Sequence, residues 1–142
     1  MHRTPMAVAA ALALTVLPAA AGETTPSEPG AEVYFINLED GATVESPVTI
    51  LFGLKGMGIA PAGIERPGTG HHHLIINETV EGEELSEPIP ADDNHLHFGG
   101  GQTQATVDLP AGTHVLQLVL GDWGHVPHDP PVMSERITVT VK

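Results

Sequence analysis

Gln104-Ala105-Thr106-Val107-Asp108-Leu109-Pro110-Ala111-Gly112-Thr113-His114-Val115-Leu116-Gln117-Leu118-Val119-Leu120 decides the fold class. Ala105, Val107 and Leu109 alternate with polar neighbours, and Leu116, Leu118 and Leu120 repeat the pattern. Successive side chains of a strand point to opposite faces, so each set makes one apolar face. Pro110-Ala111-Gly112 between them is a tight connection. Two strands joined in this way belong to a sheet protein.

The pattern recurs on both sides. Val33 to Leu38 is β-prone and stops at Glu39-Asp40-Gly41. Val48, Ile50, Phe52 and Leu54 put four large apolar groups on one face. Leu74 to Ile76 is a short buried run, and Ile137, Val139 and Val141 alternate with threonines. Thirteen prolines and 16 glycines punctuate the chain, and no helical period lasts ten residues beyond position 22. Short strands with regular turns predict an immunoglobulin-like antiparallel β-sandwich of about seven strands. Two loops, Gly56 to Gly70 and Glu78 to Asn94, are long enough to suggest a function.

The amino terminus predicts export. Arg3 precedes an apolar run, Met6 to Leu17, then Pro18 and Ala19-Ala20-Ala21. This is the three-part signal-peptide pattern. The run is shorter than the ~20 residues a spanning helix needs. Residues 1–21 are therefore expected to be removed, with no membrane insertion afterwards. A Thr/Ser/Pro-rich segment, 22–31, reads as a flexible lead-in, and 32–142 as one domain in the periplasm or outside. Removal of Arg3 leaves four Lys/Arg against 18 Asp/Glu, a net charge of −14. Such acidity disfavours nucleic acid and anionic membranes as partners. Cysteine is absent, so neither a disulfide nor a thiolate site exists.

Eight histidines lie between positions 71 and 128. They form His71-His72-His73, His95-x-His97, His125-x-x-His128 and the single His114. Residues i and i+2 of a strand share a face, so His71 projects with His73 and His95 with His97. Two such pairs on adjacent strands can surround one ion. His125 and His128 sit in a loop, with Asp122 and Asp129, that is able to close over them. Imidazole suits copper, zinc, nickel and iron, whereas calcium and magnesium prefer oxygen. Copper heads the divalent affinity order and suits an exported, cysteine-free domain; zinc is the alternative. Met57 and Met133 are either soft copper ligands or ordinary packing residues. His72 shares a face with Leu74 and Ile76, and His114 with the Leu116 series, so both also read as core histidines.

Gly53-Leu54-Lys55-Gly56-Met57-Gly58-Ile59-Ala60-Pro61-Ala62-Gly63 is followed by Gly70-His71-His72-His73-Leu74, His95-Leu96-His97-Phe98-Gly99 and His125-Val126-Pro127-His128. In these motifs the chain resembles a bacterial exported domain family of unknown function. The resemblance implies a single exported domain and leaves the chemistry to the residues. His95-x-His97 is locally similar to the strand motif of copper–zinc superoxide dismutases, without their flanking glycines and cysteines. It is also loosely similar to cupins, with Gln102 near the carboxylate position and His114 in a second motif.

Three functions follow. A periplasmic copper-binding protein would sequester the ion or pass it to a metal-accepting protein. Its affinity would weaken below about pH 6, because free imidazole titrates near 6.5. A metalloenzyme would need an open position and a base, with Glu78, Asp92, Asp93 and Asp122 near the histidines in sequence. No familiar catalytic motif accompanies them. The third reading is a structural or adhesion module with incidental histidines.

Overall fold

A computed structural model describes residues 23–142. The expected signal segment, 1–21, lies outside the described residues. Nine strands form: β1 (Glu32–Phe35), β2 (Ala42–Val44), β3 (Val48–Lys55), β4 (Gly58–Ile59), β5 (Thr69–Ile76), β6 (His95–His97), β7 (Gln104–Val107), β8 (Gly112–Gly121) and β9 (Ile137–Val141). A short 3-10 turn, Gly82–Ser86, interrupts the long loop between β5 and β6. Among the described residues no helix is long and apolar enough to cross a membrane.

The strands make two sheets. One has the order β1-β3-β7, and the other β2-β9-β8-β5-β4, with β6 also pairing with β5. This is an immunoglobulin-like arrangement: β1, β3 and β7 stand where strands A, B and E do, and β5, β8 and β9 where C, F and G do. The count exceeds the expected seven because β2 and β4 are short additional edge pieces. Both pair in parallel, β2 with β9 and β4 with β5, so the sheets are not wholly antiparallel.

The alternating faces meet as expected. Ile50 and Phe52 of β3 pack with Leu74 and Ile76 of β5 and with Leu116, Leu118 and Leu120 of β8. The outer face of the larger sheet is also covered. There Ile75 and Val119 are buried under Val80 and Ile89 from the long loop. Strand β5 is thus buried on both faces from Gly70 to Ile76.

The lead-in segment is tied to the loop after β8. Ser27 N–H donates to the Asp129 carbonyl at 3.1 Å, and Asp129 N–H to the Thr25 carbonyl at 2.9 Å. The chain therefore starts its described course against the loop that carries His125 and His128.

Candidate metal centre

The centre lies on the outer face of the larger sheet. Alternation along β5 sends His71, His73 and Ile75 outward and His72, Leu74 and Ile76 into the sandwich. On β8 the outward residues opposite His71 and His73 are Gly121 and Val119. On β6, His97 stands opposite His73. The loop after β8 then returns over this face and adds His125.

Three rings converge. His71 Nε2 lies 3.0 Å from His125 Nδ1, and His73 Nε2 lies 3.3 Å from the same atom. One ligand atom from each of the three falls within 4.8 Å of the others. Nitrogens about 2.0–2.1 Å from a tetrahedral ion stand about 3.3–3.4 Å apart. The observed spacing is thus close to that of a ligand set already gathered. His71 and His73 are fully buried, and the Nδ1 atom of each has no hydrogen-bond partner. The atoms that converge are the opposite ring nitrogens, Nε2, whose only hydrogen-bond partner among the described residues is His125 Nδ1.

His97 borders the group. Its ring centroid is 4.4 Å from that of His73 and 4.6 Å from that of His125. His97 Nε2–H donates to the Pro90 carbonyl at 2.7 Å, which leaves Nδ1 with the lone pair. The other histidines go elsewhere. His95 Nδ1 bonds Asp92 at 2.7 Å, which holds the Asp92 carboxyl below the usual carboxylate range. His128 is buried on the inner side of β5, where a Cβ on Gly70 would come within 2.8 Å of its Nε2. Neither His128 nitrogen makes a hydrogen bond of good geometry. His72 packs its ring 5.2 Å from that of Phe52. His114 bonds Asn77 Nδ2 at 3.0 Å and donates to the Pro110 carbonyl at 2.7 Å, so it is a satisfied core histidine. Met57 packs against the main core and Met133 against the outer cluster.

Burial sets the protonation of the rings. It pushes His73 down to about 2, helped by neighbouring His71, His97 and His125. His71 falls to about 4 for the same reason, first burial and then His125 and His97, with Asp122 opposing. His125 is lowered by burial and by His97. All three are neutral at pH 7 and present lone pairs, the form a metal needs.

A family model described as a domain of unknown function, DUF4399, matches residues 50–142. The chain belongs to the DUF4399 family. No curated protein and no solved structure matches it. The matched span contains every strand from β5 onward, and so all four clustered histidines of this DUF4399 domain.

Two residues of the site are not histidines, and the role the structure gives each differs from what the sequence suggested. One is Gly121, whose missing side chain makes room for the His73 ring. A Cβ there would overlap His73 Cε1 and come within 2.9 Å of its Nδ1. Gly121→Ala is expected to displace His73 and lower metal affinity by about tenfold or more. Titration of metal-free wild type and variant measures it; an unchanged affinity would show that the ring position does not matter. The other residue is Asp122, whose carboxylate organises the loop.

Proposed function

We propose that this domain binds one transition-metal ion through His71, His73 and His125, with copper preferred to zinc. The exported protein would sequester the ion in the periplasm or pass it to an accepting protein there. The observation that carries this reading is the 3.0 and 3.3 Å spacing of three imidazole nitrogens on a buried sheet face. His97, with its ring 4.4 Å from that of His73 and 4.6 Å from that of His125, is a candidate fourth ligand. Neutral imidazoles without thiolate accept either ion, and the affinity order favours copper.

Carriage fits this surrounding better than catalysis. A hydrolytic metal site usually adds a general base beside the bound water. Asp92 is engaged by His95, and the Asp122 oxygens by Thr25, Gly124 and Val126. Among the described residues no carboxylate joins the three converging rings.

Calorimetric titration of metal-free protein at pH 7 with copper(II), and separately with zinc(II), tests the reading. One ion per chain with submicromolar affinity is expected, copper the tighter. Absence of saturable binding for both metals would end it.

A further inference from the structure

Resting on that reading, we infer that Asp122 and Thr25 form a positioning device for the metal centre, so that the segment leading into the domain helps set the geometry of its metal ligand. The device is visible in the hydrogen bonds. Asp122 is buried, and its carboxylate accepts three donors. Gly124 N–H and Val126 N–H donate to Oδ1 at 2.8 and 3.0 Å. Thr25 Oγ1–H donates to Oδ2 at 2.7 Å, across 97 positions of sequence.

These bonds fold the loop into a shape it would not otherwise hold. His125 N–H donates to the Asp122 carbonyl at 3.0 Å, and His125 has a φ of 67°. A residue with a side chain visits that left-handed region at a cost and stays there only when its surroundings require it. The same conformation aims the His125 ring at His71 and His73 on one side of the sheet, while His128 goes to the other. The long loop adds a second clamp, Ile89 N–H donating to the His125 carbonyl at 3.0 Å.

Asp122 thus stands three residues before His125 in the same loop and is tied to it through the backbone. Thr25 lies outside the matched span 50–142, so the positioning draws on a residue beyond that span.

The test uses the full mature chain with copper(II) and cobalt(II) as probes, cobalt for its geometry-sensitive absorption. Asp122→Ala is expected to lower copper affinity by about 10- to 100-fold, the usual range for partners that orient ligands. Its cobalt spectrum should change shape. Asp122→Asn keeps an acceptor for Gly124 and Val126, so it should restore the wild-type spectrum with only part of the affinity. Thr25→Val removes one hydrogen bond and should weaken copper by about threefold or more, within the lower reach of that range. If Asp122→Ala does not fold, Thr25→Val decides. Wild-type affinity and spectrum in the folded Asp122→Ala variant, or in Thr25→Val where that one decides, would overturn the inference. Failure of the wild type itself to bind would instead remove the metal reading on which it rests.

Discussion

Replacing His71 and His73 together by alanine is expected to lower metal affinity by at least about a thousandfold, because two of three converging ligands vanish and bound metal free energy scales with them. The loss should not come from unfolding. Each substitution leaves a cavity, which costs about 2–5 kcal/mol for a large buried side chain. Each also removes a buried nitrogen without a partner, whose burial costs about 1–3 kcal/mol. The two terms oppose one another, so the metal-free variant should lose only about 3 kcal/mol and remain folded at 25 °C, with a melting temperature about 10 °C lower. His95→Ala is the matched control. That ring faces Asp92 rather than the cluster, and its loss should change affinity less than about threefold, as for a residue with no shared partner. Titration of the three proteins with copper(II), beside their circular dichroism melts, gives the comparison. Equal affinity in the double variant and wild type would place the metal elsewhere.

Acid should unfold the metal-free protein at a pH where most acidic domains persist. The sign follows from the direction of the shifts. His71 and His72 are pushed down to about 4 and His73 to about 2, chiefly by burial. In the unfolded chain each titrates near 6.5. Below 6.5 the unfolded state therefore binds more protons, and stability falls with pH. Above 6.5 the contribution is intact; it drains away as pH drops toward the folded values. Each pH unit costs about 1.4 kcal/mol per group. At pH 5 the three rings together remove on the order of 6 kcal/mol. A domain holds about 5–15 kcal/mol in all. Unfolding of the metal-free protein is expected between about pH 4 and 5.5 on this balance. Trp123 fluorescence and circular dichroism from pH 7.5 to 3.5 follow it.

Bound metal should shift that transition downward, since a ligand of the folded state adds stability by mass action. Burial also disfavours the competing proton. Binding should thus outlast the limit near pH 6 that free imidazole would set. A melting temperature that stays flat from pH 7.5 to 4.5 in the metal-free protein would mean that the rings are not buried as described. In the His71/His73 double variant two of the buried acid-sensitive rings are gone, so its transition should move lower.

Both expectations draw on features with different visibility in the sequence. Alternation in β3, β7, β8 and β9 is a local property, and it identified an all-β chain and the inward faces of these strands. The same period placed His71 with His73 and separated both from His72. It also marked His114 as a residue in register with the Leu116 series, where it is bonded to Asn77 and Pro110.

Period two says nothing about what stands opposite. His97 reaches the cluster because β6 pairs with β5 in a register that sets it against His73. His95, two residues earlier on the same strand, falls opposite Ile75 and finds Asp92 instead. The pair looked equivalent in sequence because only the register, a long-range property, distinguishes them. His125 and His128 also looked like one unit. A left-handed turn at His125, held by Asp122, sends their rings to opposite sides of the sheet. The roles of Gly121 and Thr25 were hidden for a similar reason: a glycine at the end of a strand and a threonine in a polar segment acquire roles only through what packs beside them.

The sequence by itself determined the class of fold, the residue type of the candidate ligands and the exclusion of thiolate, because composition and strand periodicity are written residue by residue. Tertiary structure alone decided which histidines meet. Convergence depends on strand register, on one backbone turn and on an empty Cβ position, and each joins residues far apart in the chain.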